Sequence, residues 1–223
     1  MKVAAIVPAA GKGVRIKSKI EKPYIEINKI PLLAHTLLRL SKNKNISEII
    51  VAVSKKHINK VEIDVIKKFR IKKVKLVSGG RERKHSVYNA LCKVSDDVDY
   101  ILVHDGARPN ITKDLIDSSL KAAQDFGASV VCVPVKATLK YAGKNRNIKY
   151  TPKRENFWEA QTPQVFRKDL IVKAYKKYRN KNKITDDAML VELMGVKPKV
   201  VLGSYNNIKV TTKEDLELLK ILL

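Results

Sequence analysis

The chain has 223 residues, of which 44% are hydrophobic and 30% charged, which excludes a disordered chain and allows one substantial core. No apolar run approaches the roughly 20 residues of a membrane helix; the longest, Ala128–Val135, is interrupted by Ser129 and Pro134. The formal net charge of +24 admits nucleic acid, anionic small substrates or a bland basic surface as its cause, and its Lys excess, 36 Lys to 10 Arg, favours the bland surface.

Lys2 followed by Val3–Ala10 has the outline of a leader peptide, but the run is short, contains Pro8 and leads into Gly11-Lys12-Gly13. It is read as a first strand, Val3–Val7. Further strand-like runs are Ile49–Val53, Val74–Val77, Tyr100–Val103, Ser129–Val135 and Lys199–Leu202. They are β-branched and almost continuously apolar, as strands covered on both faces should be. Helical stripes alternate with them: Leu33, Leu37 and Leu38; Ile58, Val61, Val65, Ile66 and Phe69; Val87, Ala90, Leu91 and Val94; Leu115, Ser119, Leu120 and Ala123. This alternation predicts an α/β fold, a Rossmann-like, mostly parallel sheet with helices on both faces. Ligands then bind beyond the carboxyl ends of the strands.

The rhythm breaks after Val135. Ala137–Ala142 and Ile148–Thr151 flank the turn-rich Gly143-Lys144-Asn145-Arg146-Asn147, which predicts a hairpin projecting from the domain. Lys136 to Arg154 contains seven basic residues and no acidic one. A hairpin with so little core of its own needs a partner surface. Helices are expected at Asp169–Arg179, Asp186–Met194 and Glu214–Leu223. With no repeat and no low-complexity linker, residues 1–223 read as a single domain with 137–151 as an arm. Cys92 and Cys132 lie in apolar stretches, without metal-ligand spacing, and predict a reduced, cytoplasmic protein.

The first strand runs into Pro8-Ala9-Ala10-Gly11-Lys12-Gly13-Val14-Arg15, with Lys22 seven residues on. The third glycine of a dinucleotide fingerprint is absent near Ile16, and so is a Walker pattern. What remains is a loop of small residues whose backbone N–H groups can approach phosphate oxygens, followed by two cations. Taken alone it is either a phosphate loop or a glycine turn beside two surface cations.

This loop resembles the signature of sugar-phosphate nucleotidyltransferases. Four further motifs narrow the resemblance: Gly79-Gly80-Arg81-Glu82-Arg83-Lys84-His85-Ser86, His104-Asp105-Gly106-Ala107-Arg108-Pro109, Ala160-Gln161-Thr162-Pro163-Gln164 and Asn207-Ile208-Lys209-Val210-Thr211. In this order they resemble the 2-C-methyl-D-erythritol 4-phosphate cytidylyltransferase family of the non-mevalonate isoprenoid pathway, whose fold is of the nucleotide-diphospho-sugar transferase type.

The resemblance implies attack of methylerythritol 4-phosphate on the α-phosphate of CTP, with pyrophosphate leaving and Mg²⁺ as the divalent cofactor. It implies transition-state stabilisation by Arg15 and Lys22, and positioning of methylerythritol phosphate by Arg154 and Lys209. Nucleotide binding is expected at Ala9, Ala10, Gly11, Gly13, Gly80, Ser86 and Asp105. Substrate contacts are expected at Gly106, Arg108, Thr138 and Thr162. Asp105, at the end of its strand, is also the candidate metal ligand, or holds a ribose hydroxyl. His104 is expected to pack beneath the loop with no catalytic role. A homodimer with interlocked arms is implied, and no membrane partner is expected. The chain departs from the family pattern at Glu21-Lys22-Pro23-Tyr24, at Arg81 in place of a common acidic residue, and at Ala137.

Two rivals remain. Ribitol 5-phosphate cytidylyltransferase shares the fold and the loop, but Pro134–Thr138 and Arg154–Gln164, with Phe157-Trp158, look more like the methylerythritol enzyme. A nucleic-acid-binding protein using Lys136–Arg154 would need aromatic platforms, and Tyr141 and Tyr150 are the arm's only aromatics.

Overall fold

The computed structural model describes residues 1–11 and 22–223. Strand β1 (Val3–Pro8) opens the fold, and a small hairpin follows, β2 (Glu26–Ile27) and β3 (Ile30–Pro31). Asn28 and Lys29 turn that hairpin at positive φ, +51° and +64°, matching the twist of the two strands. Next come α1 (Leu32–Lys42), β4 (Ile46–Val53) and α2 (Ile58–Val61), which runs on as π-helical turns over Glu62–Lys67. The chain continues through β5 (Val74–Ser78), α3 (Arg83–Leu91), β6 (Tyr100–Val103), α4 (Lys113–Phe126) and β7 (Ala128–Pro134). The arm strands β8 (Tyr141–Ala142) and β9 (Ile148–Tyr150) precede β10 (Trp158–Arg167), α5 (Lys168–Tyr178), α6 (Asp187–Glu192), β11 (Lys199–Leu202) and α7 (Lys213–Leu222).

Among the described residues, seven strands form one sheet in the order β11-β7-β10-β6-β1-β4-β5. All its neighbouring pairs are parallel except those of β10, which runs antiparallel to β6 and to β7. Side chains alternate between two cores. Val3, Ala5 and Val7 of β1 face the layer of α1, α2 and α4, whereas Ala4 and Ile6 face α3, α5 and α6. Helix α4 shows how local sequence sets an element's limits: the Thr112 hydroxyl caps the Leu115 N–H, and Gly127 ends the helix at φ +79°.

The predicted α/β architecture and its parallel strands are borne out; β10 is the correction. The sequence pattern predicts helices directly after the arm, yet ten residues here form a strand inside the sheet. Pro163 and the polar Gln161, Thr162 and Gln164 hide it, since a central strand rarely carries them. Its pairing with β7 slips between Ala160 and Gln164, and these three polar side chains are buried there. The predicted hairpin is present: β8 pairs with β9, and the rings of Tyr141 and Tyr150 stack at 4.9 Å. Tyr141, Ile148 and Tyr150 nevertheless remain 52%, 62% and 55% exposed.

Candidate active site

The chain leaves β1 toward β4 and β5 on one side, then crosses back to β6 on the other. That reversal opens a crevice at the carboxyl ends of the strands, where α/β sheets bind ligands. A cavity of about 300 Å³ lies there, lined by the loop after β1 (Ala9, Ala10, Gly11), the turn after β5 (Gly80–Arg83), Ser86, Asp105, Gly106 and Lys209. The Ala9 N–H donates to the carbonyl of Ala52 at 2.8 Å, pinning the first loop to β4. A Cβ added at Gly79 would lie 2.3 Å from that of Ala10, and one at Gly80 would lie 2.4 Å from that of His85. The two loops therefore approach to a distance that only glycine allows. The Gly80 N–H donates to the Ser86 hydroxyl at 3.0 Å, which donates on to the Glu82 carbonyl. Ser86 thus shapes the turn that forms one wall.

Asp105 is the electrostatic centre of the cavity. Lys209 Nζ stands 2.7 Å from Oδ2, Arg83 Nε 3.1 Å from Oδ1, and Arg108 Nε 3.7 Å from Oδ2. Burial alone would raise the Asp105 pKa, but Arg83, Lys209 and Arg108 hold it well below the usual carboxylate range. Arg83 also reaches Asp187 on α6, with Nη1 to Oδ2 at 2.7 Å. Burial opposes its charge, yet Asp187 and Asp105 together raise its pKa further.

Beneath Asp105 lies a chain of hydrogen bonds. The Asp105 N–H donates to Thr162 Oγ1 at 3.0 Å, and the Thr162 hydroxyl donates to His104 Nδ1 at 3.0 Å. His104 Nε2–H then donates to the carbonyl of Arg108 at 2.9 Å. Burial lowers the His104 pKa to about 4, so the ring is neutral, and it packs beneath the Asp105 loop as expected. Arg108 donates from Nη1 to the carbonyl of Asn207 at 2.7 Å, and Asn207 Nδ2 donates to Gln161 and to the Thr162 carbonyl. Lys209 sits one residue before Val210, whose N–H donates to the Ala107 carbonyl. Asp215 accepts from Thr211 N, Thr211 Oγ1 and Thr212 N in a capping box that fixes the segment after it.

The structure brings Ala9, Ala10, Gly11, Gly80, Ser86, Asp105, Gly106 and Lys209 together around the cavity. Arg108 and Thr162 line an adjoining space of about 240 Å³ that shares Arg83, Asp105 and Lys209 with the first. Thr162 is 4% exposed, and its hydroxyl is committed to protein partners rather than held toward a ligand. Gly13 and Arg15 lie outside the described residues, as does the side chain of Lys22, although its neighbour Pro23 lines the cavity. Thr138 and Arg154 are exposed within one chain and line neither space, and Arg154 donates to the Lys136 carbonyl. Arg83, Gln161, Gln164 and Asn207 lie within the family motifs, but their types and spacing carry no sign of the contacts they make here. Asp187 and Tyr175 had no signal beyond helical spacing. Among the described residues no group of three or more His, Cys, Asp and Glu side chains could enclose a metal ion. Asp105 offers a single carboxylate, which suits Mg²⁺ carried by a triphosphate better than a protein-held ion.

The family model for IspD, 2-C-methyl-D-erythritol 4-phosphate cytidylyltransferase, matches residues 3–223. The chain is 44% identical to the protein of that name from Alkaliphilus oremlandii over 217 residues, covering 96% of this chain and 92% of the relative. It is 42% identical to the one from Caldanaerobacter subterraneus, covering 100% and 99%. The crystal structure of 4-diphosphocytidyl-2C-methyl-D-erythritol synthase from Anaerococcus prevotii superposes with a TM-score of 0.87 at 32% identity, covering 98% and 94%. That of the Francisella tularensis cytidylyltransferase does so with 0.85 at 32% identity, covering both chains fully. With its glycine-lined cavity, its carboxylate among three cations and this match along the whole fold, the chain belongs to the 2-C-methyl-D-erythritol 4-phosphate cytidylyltransferase family.

Proposed function

We propose that this enzyme transfers CMP from CTP to 2-C-methyl-D-erythritol 4-phosphate. An oxygen of the methylerythritol phosphate forms a bond to the α-phosphorus, the bond to the β-phosphate oxygen breaks, and pyrophosphate leaves. The products are 4-diphosphocytidyl-2-C-methyl-D-erythritol and pyrophosphate, a step of non-mevalonate isoprenoid synthesis. The observation that carries the reading is the cation-ringed Asp105 at the edge of a small-walled cavity, in a chain matched by one family model over residues 3–223.

No covalent intermediate is needed, so positioning and charge stabilisation supply the catalysis. Backbone groups of Ala9, Ala10, Gly11 and Gly80 approach the nucleotide, and the narrow gap between their loops suits a pyrimidine. Asp105 accepts from the ribose, while Lys209 and Arg108 stand on the side where the methylerythritol phosphate enters. Arg15 and Lys22 act on the charge that builds at the α-phosphate. Asp105 is the residue that would hold a Mg²⁺ carried by the triphosphate, and the ion would supply neutralisation of phosphate charge. Thr138 and Arg154 reach a site by dimerisation: the exposed Tyr141, Ile148 and Tyr150 of the arm pack on a second copy and carry the neighbouring Arg154 to its cavity. No described helix is long and apolar enough to cross a membrane, and the two free cysteines accord with a reducing cytoplasm.

The test is product formation from CTP, methylerythritol 4-phosphate and Mg²⁺, followed by ³¹P NMR. Turnover with CTP and that acceptor, but not with ribitol 5-phosphate, is expected. Equal turnover with ATP or GTP, or a preference for ribitol 5-phosphate, would overturn the assignment.

A further inference from the structure

Arg83 lines both spaces of the site, and behind it, off the lining of either, lie Asp187 and Tyr175. The three come from different helices: Arg83 opens α3, Tyr175 is in α5 and Asp187 opens α6. Asp187 and Tyr175 are each 1% exposed. The Tyr175 hydroxyl donates to Asp187 Oδ1, Arg83 Nη1 donates to Asp187 Oδ2 at 2.7 Å, and Arg83 Nε faces Asp105 at 3.1 Å. One guanidinium thus spans two carboxylates through different nitrogens, with the far carboxylate held by a phenol. A second clamp steadies α6: Gln164 accepts from the Ala188 N–H at 3.0 Å and donates to Asp186 at 2.8 Å.

Buried ion pairs contribute little net stability, because desolvation offsets their attraction and apolar residues of similar volume serve as well. A chain in which two buried polar side chains, Tyr175 and Asp187, hold a half-buried arginine against the cavity's carboxylate is better explained by aim than by stability. We infer that Asp187, with Tyr175 behind it, is a positioning residue for nucleotide binding: it fixes the Arg83 guanidinium, and Arg83 sets the direction in which Asp105 faces the nucleotide. Lysine cannot replace Arg83 in this task, since one ammonium does not reproduce a planar fork that points at two carboxylates. The inference rests on the reading that CTP occupies the cavity.

The experiment compares the wild type with D187N, R83K and Y175F, measuring CTP affinity by calorimetry, the KM for each substrate, kcat and the thermal midpoint. D187N keeps the shape and removes the charge. R83K keeps the charge and removes the fork. Both should weaken CTP binding about tenfold, the scale of one charge-assisted contact, with KM for CTP rising in step and kcat falling less. Y175F deletes one hydroxyl, and about threefold is expected; it decides the matter if D187N or R83K does not fold. A lowered thermal midpoint with CTP affinity within twofold of wild type would make the chain a structural brace and overturn the inference. R83K binding CTP as well as wild type would overturn it too. A wild type that binds no CTP overturns the nucleotide reading itself, a failure distinct from that of the variants.

Discussion

Thr162→Val isolates the hydrogen-bonded chain beneath Asp105 with almost no change of volume. The hydroxyl it removes accepts from the Asp105 N–H and donates to His104 Nδ1, both at 3.0 Å and both buried. Each stranded group costs about 1–3 kcal/mol, so the substitution should cost roughly 2–6 kcal/mol. That is a large part of the roughly 5–15 kcal/mol that holds a domain folded. Thr162→Ser keeps the oxygen and loses one methyl group, at about 1 kcal/mol. Urea unfolding followed by circular dichroism, run at low temperature so that the valine variant stays folded in buffer, measures both. KM values for the two substrates, taken on the folded fraction, should stay near wild type in the serine variant. The reasoning fails if Thr162→Val loses less than about 0.5 kcal/mol, a change typical of an uninvolved surface site, or if serine and valine are equally damaging.

Lys209→Ala should raise KM for methylerythritol phosphate about 10- to 100-fold, the scale of one charge-assisted contact. The Asp215 cap should keep the fold intact, and steady-state kinetics with unchanged KM and kcat would remove Lys209 from this role. Arg15→Ala and Arg154→Ala, each inactive alone, should regain activity when co-refolded. Random mixing with two-fold symmetry leaves about one quarter of all sites intact, and mixed dimers no more active than the separate variants would place Arg154 outside the partner's site. His104 has a folded pKa of about 4 against 6.5 when unconstrained. The unfolded chain therefore takes up that proton first as pH falls, so the contribution is full above about pH 6.5 and lost toward pH 4, roughly 3 kcal/mol in all. Denaturant midpoints measured across that range should fall for the wild type, and an equally steep fall in His104→Gln would refute the assignment.

The parallel strands were legible because burial on both faces leaves continuous apolar runs such as Val3–Val7 and Tyr100–Val103. β10 was not, because the same residues that build the site spoil its strand pattern: Gln161, Thr162 and Gln164 are buried by hydrogen bonding rather than by apolar character. The small-residue loops and Asp105 were legible only through the family resemblance, since glycine turns and strand-end carboxylates also occur where no ligand binds. Arg83 lies in the motif after β5, yet the carboxylate that holds it, Asp187, is 104 residues away. No local pattern announces a contact of that range, and Asp187 reads only as the second residue of the helix expected at Asp186–Met194. Arg154 shows the reverse: the resemblance gave it a role that one chain alone does not assemble.

Lys209 is carried by a part of the molecule that stands apart from the two main cores. Ile27, Leu32, Val210 and Leu219 form a small separate cluster, with Ile208, Leu216, Leu222 and Leu223 packed around it. Leu218 and Ile221 on the outer side of α7 remain 47% and 83% exposed. So small a cluster makes α7 and its leading segment an early unit to open in native-state hydrogen exchange. Any phosphate seated on Lys209 then adds its binding free energy to the closed form of that unit, and every opening that breaks the site must give it up. Amide protection in α7 becomes a gauge of site occupancy, one that reports the opening of this unit as well as global unfolding.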